Sequence, residues 1–407
     1  MNCRHCGMPL QHTFLDLGFA PPSNAYLSKE ALTRPELYFP LKIKVCDHCW
    51  LVQTEDYASA DSFFTAEYAY FSSTSIGWLA HAKRYAEKMI AELSLTSASH
   101  VIEVASNDGY LLKNFVEAGI PCLGIEPTNS TADAAEQLGI PVLRKFFGEA
   151  QGERLAIEGK QADLIIGNNV YAHVPDINDF TRGLKAALKR GGTTTLEFPH
   201  VMRLIEQTQF DTVYHEHFSY LSLYTVSRIF TAAGLRIWNV EELPTHGGSL
   251  RVYGCHADDP RDTQQSVDAL LQEEATRGLQ QLQTYLEFQP RADKIKNNLL
   301  TFLIEQKRQG KTVAAYGAAA KGNTLLNYAG VKPDLLPFVC DAAKAKQGQF
   351  MPGSHIPILP PERLAEVQPE FVLILPWNIT EEVKTLNAEL AKSGIRFVTA
   401  VPELHIA

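Results

Sequence analysis

No run of the 407 residues approaches the ~18 consecutive apolar positions that a membrane helix needs, although 45% of the chain is hydrophobic and 20% charged. Those proportions are those of a soluble globular chain, and the length predicts two or three cores. Positive charge is scarce: 37 Lys and Arg stand against 46 Asp and Glu, a formal net charge of −9. The densest basic stretch, Arg291, Lys294, Lys296, Lys307, Arg308 and Lys311, follows a helical pattern broken by Asp293 and Glu305 and reads as a solvated helix face. Neither nucleic acid nor membrane is an expected partner, because phosphate binding needs a clustered basic surface. Missing also, at Met1-Asn2-Cys3-Arg4-His5-Cys6, is a basic region leading into an apolar one, so the expected location is cytoplasmic.

Cysteines number seven. Cys122, Cys255 and Cys340 fall in or beside apolar strand-like stretches and read as buried thiols. The other four form two knuckles, Cys3-x-x-Cys6 and Cys46-x-x-Cys49, each presenting two thiolates from a tight turn. In a reducing compartment such a pair of CxxC motifs points to metal rather than disulfide, and four sulfurs suit tetrahedral zinc. Four protein ligands leave no position for water, so the zinc is expected to be structural. His5 and His48 lie inside the knuckles as bystanders.

Regular nucleotide-binding signatures are lacking too, and what stands in their place organises the chain. In Val101 to Leu112, VIEVASNDGYLL, a short apolar run fit for a buried parallel strand meets the turn signal Asn107-Asp108-Gly109, and helical spacing resumes from Tyr110 to Val116. The loop is not GxGxxG, since Ala105 and Asn107 occupy positions where glycine is usual. A second strand, Pro121 to Ile125, ends on Glu126, and an acid there can accept hydrogen bonds from both hydroxyls of a ribose. Ala162 to Gly167 then runs into Asn168-Asn169-Val170-Tyr171-Ala172-His173, and Gly191-Gly192-Thr193 opens a strand ending at Pro199. The succession resembles a class I S-adenosylmethionine-dependent methyltransferase. It implies cofactor contacts from Glu103, Ser106, Asn107 and Gly109, from Glu126 at the ribose, and from Asn168 and Asn169.

The sharpest stretch is Val213 to Tyr220, VYHEHFSY, with two imidazoles, a carboxylate and two phenols before a predicted helix over Leu223 to Ala233. Its HEH lacks the spacing of HExxH, which excludes a zinc-protease site. The paired CxxC motifs, SNDGYLL, NNVYAHVPD, YHEHFSY, HGGSLRVY (His246 to Tyr253) and AYGAAAKGNTLLNY (Ala315 to Tyr328) together resemble the sugar C-methyltransferases of deoxysugar biosynthesis over nearly the whole chain. Those enzymes methylate a carbon, commonly C-3, beside the ketone of a nucleotide-linked 4-keto-deoxyhexose. The resemblance implies Tyr214 and His217 as the acid/base pair, supported by Glu216 and His173. Substrate contacts are expected from Asn24 in the turn-rich Leu15 to Tyr26 loop, from Tyr68 and Tyr70, which can equally be core aromatics, and from His246 and Lys321.

The expected architecture is α/β throughout. It comprises a zinc-binding subdomain at 1–66, a class I methyltransferase (Rossmann-like) domain at 67–260, and a helical connector leading into a C-terminal Rossmann-like domain at 261–407. In the last, Thr312 to Tyr316, Leu336 to Cys340 and Phe371 to Leu375 read as strands, with Asp341 ending one of them. Its GAAAKG loop (317–322) either binds phosphate through a helix N-terminus and Lys321 or binds nothing. Carbon methylation requires an enolate and therefore a base. His217 is the better base because neutral imidazole is available near pH 7, whereas a phenol of pKa ~10 needs help to ionise. Tyr214 then donates to the enolate oxygen, with the two roles exchangeable. Two other readings fit the same residues: an O- or N-methyltransferase acting on a nucleotide sugar, and an inactive zinc-containing binding protein.

Overall fold

The computed structural model describes residues 1–55, 57, 72–74 and 76–407. Tyr68 and Tyr70 lie outside the described residues. Among these, three sheets form.

The first sheet joins β1 (His12–Ala20), β2 (Phe39–Val45) and β3 (Val52–Thr54), all antiparallel. Its fourth strand is β9 (Ser219–Tyr220), which follows the YHEH segment and pairs with β3. Sequence reading placed Ser219 and Tyr220 wholly in the methyltransferase domain. The structure instead ties the end of the YHEHFSY segment to the zinc-binding sheet.

The second sheet holds β4 (Val101–Val104), β5 (Cys122–Ile125), β6 (Val142–Leu143), β7 (Ala162–Asn168), β8 (Leu188–Pro199), β10 (Leu235–Leu243) and β11 (Ser249–His256). Their order is β6-β5-β4-β7-β8-β11-β10, parallel except where β11 runs antiparallel to both β8 and β10. All four residues of β4 are buried, as expected of a strand covered on both faces. The chain leaves β4 toward β5 on one side, and β7 lies on the other, so a crevice opens between the loops after β4 and β7. The helix after the β4 loop spans Lys113–Glu117, later than the periodicity suggests, because residues 107–112 are spent in turns.

Leu223–Ala233 is helical as predicted. Ser222 caps it by accepting from the Thr225 amide at 3.0 Å, and Gly234 ends it at φ 79°. Glu274, from the connector helix Gln265–Thr276, accepts the amides of Leu223 and Tyr224 at 2.6 and 2.8 Å, and His200 at 2.7 Å, so the connector is anchored to the central unit.

The third sheet contains β12 (Val313–Tyr316), β13 (Val339–Cys340), β14 (Ile358–Leu359), β15 (Phe371–Ile374), β16 (Arg396–Thr399) and β17 (His405–Ile406). It is ordered β14-β13-β12-β15-β16-β17, with only β17 antiparallel. The strand expected over Leu336 to Cys340 shrinks to Val339–Cys340. No helix of the described residues is long and apolar enough to cross a membrane.

Candidate active site

The sulfurs of Cys3, Cys6, Cys46 and Cys49 all lie within 4.8 Å of one another, with Cys3 to Cys49 at 3.5 Å and Cys6 to Cys46 at 3.6 Å. Zn–S bonds of ~2.3 Å in a tetrahedron put sulfurs ~3.8 Å apart, so the four fit zinc, and they close the site to water. Gln53 Nε2 donates to Cys3 Sγ at 3.2 Å, an orienting contact around the metal ligands. His5 turns to Asn178 Oδ1 at 2.8 Å, outside the cluster. Cys122, Cys255 and Cys340 are buried free thiols, and burial pushes Cys122 up to about 11 and Cys340 up to about 12.

The loop after β4 makes the turn of a glycine-rich loop with other residues. Ala105 and Asn107 adopt φ of 58° and 49°, the left-handed region, and Gly109 follows at 77°. A Cβ on Gly109 would meet Ile140 Cδ1 at 2.5 Å and the Ala135 backbone at 3.3 Å, and its positive φ strains any other residue, so glycine is favoured there. Glu126, at the end of β5, braces this loop: Oε2 accepts the Asn107 amide at 3.0 Å and Oε1 the Thr128 amide at 2.9 Å. Carboxylate oxygens carry about four lone-pair sites, so acceptor capacity remains for ribose hydroxyls.

Around the crevice, buried polar atoms lack partners among the described residues: both carboxyl oxygens of Glu103, Ser106 Oγ, Asp108 Oδ1, and Asn169 Oδ1. The Asn168 amide is buried as well, with the Tyr110 hydroxyl beside it. Burial, then Asp108 and Glu126, raises the Glu103 carboxyl well above its usual range. Three carboxyl groups crowded around amide and hydroxyl oxygens that none of the described residues answers suit a cationic, hydrogen-bonding cofactor such as S-adenosylmethionine. Asn107 and Asp108 also accept the amides of Ser72 and Ser73, each at 3.0 Å, fastening the segment that leads into the helix Ile76–Glu92.

The structure brings together all four residues predicted for catalysis. The rings of Tyr214 and His217 lie 4.2 Å apart, and those of His173 and His217 lie 4.5 Å apart. His217 Nδ1 donates to the Thr212 carbonyl at 3.1 Å, and His173 Nδ1 to the Glu216 carbonyl at 2.9 Å. A carbonyl only accepts, so on each ring the proton sits on Nδ1 and the lone pair on Nε2. Burial, followed by the neighbouring His173, His246 and Lys321, holds His217 well below its ordinary value, and burial lowers His173 to about 4. Both rings are neutral bases at physiological pH. Glu216 is buried and pushed up to about 7 by that burial, partly offset by Asn24, whose amide donates to it.

His246, at φ 55°, accepts the Asn169 side-chain amide at 3.1 Å and connects the cofactor crevice to the histidine cluster. Lys321 reaches the cluster from the C-terminal half. Its Nζ donates to Asn378 Oδ1 at 2.6 Å, lies 4.7 Å from the Trp377 ring centroid, and neighbours Asp211, His217 and His246. The ammonium therefore does not serve the GAAAKG backbone. In that loop the Ala318 amide goes to Asp341 Oδ2 at 2.7 Å.

Sequence reading missed three residues at this joint. Asp211 is fully buried and accepts from Trp377 Nε1 at 2.8 Å, while Asn378 holds Lys321. Trp377 packs where a Cβ on Gly247 would stand, 2.5 Å from its ring, so a glycine-dependent approach seats the C-terminal half against the HGGS turn. None of the three belongs to a local motif. Their nearest signal is the position of Trp377 and Asn378 just beyond the carboxyl end of β15.

The sheet order with its antiparallel edge and the acid-braced loop define a class I methyltransferase carrying a zinc-binding unit and a second α/β unit. Family models match each part: a zinc binding domain at residues 3–64, a methyltransferase domain at 78–240 and a C-methyltransferase C-terminal domain at 244–402. Over 405 residues, 100% of this chain and 96% of the relative, it is 32% identical to the C-methyltransferase NovU of Streptomyces niveus. The chain belongs to this family of S-adenosylmethionine-dependent C-methyltransferases. An uncharacterized methyltransferase of Mycobacterium leprae (strain Br4923) is 28% identical over 98 residues, 24% of this chain and 36% of that protein. The magnesium protoporphyrin IX methyltransferase of Synechocystis PCC 6803 overlays at a TM-score of 0.36 and 15% identity, covering 44% of this chain and 84% of that one.

Proposed function

We propose that this C-methyltransferase acts on the carbon beside the ketone of a nucleotide-linked 4-keto-deoxyhexose, with His217 as the base. One observation carries the reading: His217 is half-buried and neutral, gives its Nδ1 proton to a backbone carbonyl, and so keeps the Nε2 lone pair free on a ring 4.2 Å from that of Tyr214. A C–H next to a ketone becomes nucleophilic only when its proton is removed, and Nε2 takes that proton. Tyr214 donates to the enolate oxygen where negative charge develops. His173 keeps a second neutral imidazole against His217, and His246 borders both the cofactor crevice and the sugar. Lys321, from the C-terminal half, grips the anionic nucleotide end of the substrate.

Glu103, Ser106, Asn107, Gly109, Asn168 and Asn169 hold the cofactor around its methionine part, with Glu126 at the ribose. When bound, S-adenosylmethionine supplies an electrophilic methyl group, and these contacts orient it in line with the enolate carbon. We assign residues 1–66 to the zinc-binding subdomain, 67–260 to the methyltransferase domain and 261–407 to the connector with the substrate-gripping unit.

The test is incubation with methyl-labelled S-adenosylmethionine and a panel of nucleotide-linked sugars, with NMR to locate the label. A new carbon–carbon bond beside the ketone is expected. Methylation of a hydroxyl or amine on non-ketonic sugars would replace this reading with the O- or N-methyltransferase.

A further inference from the structure

Asn24 stands far from the catalytic segment in sequence and meets it in space. Its Nδ2 donates to both carboxyl oxygens of Glu216, at 3.0 and 3.3 Å. The loop that carries it is clamped by the C-terminal half on both sides of the asparagine. Asn323 Nδ2 donates to the Ser23 carbonyl at 2.6 Å, the Tyr26 hydroxyl donates to the Ala318 carbonyl at 2.6 Å, and Leu27 and Phe350 exchange backbone hydrogen bonds at 3.0 and 2.8 Å. Residues 21–27 thus run from the zinc-binding sheet onto the C-terminal unit and present one amide to Glu216. Glu216 in turn is 4% exposed and fixes the His173 ring through its own carbonyl.

Among the described residues Glu216 forms no ion pair within 4.0 Å. The titratable groups next to it are Tyr214, His215 and His217 on its own segment and His173, bonded to its backbone carbonyl, on the 3-10 turn Tyr171–His173, and its ionisation follows burial and the Asn24 amide. An amide N–H only donates, so it favours the ionised carboxyl over the protonated one.

We propose that Asn24 is a positioning residue: by donating to Glu216 it holds that side chain as an ionised acceptor and so fixes the residue whose backbone carbonyl orients the His173 ring. The zinc-binding unit then contributes directly to the active site by delivering this loop. The inference rests on the active-site reading above, and its test includes a readout that does not need turnover.

Burial places Glu216 at about 7, with Asn24 pulling it down, so kcat/KM is expected to rise with pH through that region as the carboxyl ionises. Asn24→Ala moves this acidic limb to higher pH by about one unit while activity recovers at alkaline pH. Asn24→Asp, nearly the same size, moves it further in the same direction because two carboxylates then face each other. Glu216→Gln abolishes the limb and makes Asn24→Ala silent on that background. Carbon NMR of labelled glutamate should show the Glu216 midpoint rising in both Asn24 variants, even in protein given no substrate. If Asn24→Ala fails to fold, as judged by thermal unfolding, Asn24→Asp carries the test. A changed KM with an unmoved pH limb and an unmoved Glu216 midpoint would overturn the proposal and make Asn24 a direct substrate contact. A shifted midpoint without methylation of any keto-sugar would leave Asn24's hold on Glu216 standing and remove the substrate reading.

Discussion

In the central sheet Glu126 ends the second strand and accepts the amides of Asn107 and Thr128, while in the C-terminal sheet Asp341 ends the corresponding strand and accepts those of Ala318 and Ala343. Each acid braces the first loop of its unit and the residue two positions beyond itself. The crevices differ. The central one leaves Glu103, Ser106, Asp108 and Asn169 with buried atoms that none of the described residues answers. In the C-terminal unit Pro376 packs where a Cβ on Gly317 would stand, 2.4 Å from its ring, and Tyr26 and Lys346 both donate to the Ala318 carbonyl. Residues 317–319, Asp341 and 375–379 hold no unpartnered buried side-chain atom. The same plan makes an open crevice in one unit and a closed one in the other, and the closed unit sends Lys321 and Trp377 across the joint.

The comparison assigns all bond-making to the central unit, and His217→Ala tests that most severely. In deuterated water, with keto-sugar and a non-reactive cofactor analogue, exchange of the proton beside the ketone should slow by about 10²–10⁴, with cofactor affinity unchanged. Exchange at the wild-type rate, together with its loss in Tyr214→Phe, would make Tyr214 the base.

A smaller effect is expected where the units meet. Burial raises the folded-state value of Glu216 from 4.5 to about 7, so the folded protein retains a proton that the unfolded chain has released between those values. This contribution to stability is present below pH ~4.5, declines as pH rises to about 7 and is flat above. Glu216→Gln removes the penalty and should gain on the order of 3 kcal/mol at pH 8 relative to pH 4, read by denaturant unfolding. Equal stability changes at both pH values would mean that the carboxyl is not buried as described.

Lys321→Met should be smaller again. Loss of one charge-assisted contact, about 1.5–3 kcal/mol, predicts a KM for the nucleotide sugar raised about 10- to 150-fold with cofactor affinity intact. A loss of cofactor affinity instead would place Lys321 in the wrong site.

The fold of the central unit was largely legible because its elements and turns are written in consecutive residues. β4 and its turn, Glu126 after β5, and Tyr214 to His217 before a capped helix are local patterns. Ala105 and Asn107 show the limit of a motif: they take the left-handed turn without glycine, so the glycine spacing misses a loop whose backbone is conventional. The two CxxC knuckles were legible for the same reason, as each supplies two ligands from one turn. What stayed hidden depends on long-range contact. Nothing local in Ser219-Tyr220 says that it pairs with β3, nothing in Asp211 that it meets Trp377, and nothing in Lys321 that it leaves its own loop for the histidine cluster. The GAAAKG loop looked able to bind an anion because the Asp341 carboxylate that takes its amide lies 23 positions from Ala318.

Titration calorimetry with S-adenosylmethionine, comparing wild type with Glu126→Ala and Asp341→Ala, tests the division between the units most directly. Glu126→Ala should weaken binding at least tenfold, since charged hydrogen bonds contribute about 1.5–3 kcal/mol, while folded Asp341→Ala should bind as wild type does. Unchanged affinity in Glu126→Ala with weakened affinity in Asp341→Ala would contradict this division, by placing the cofactor in the closed C-terminal unit.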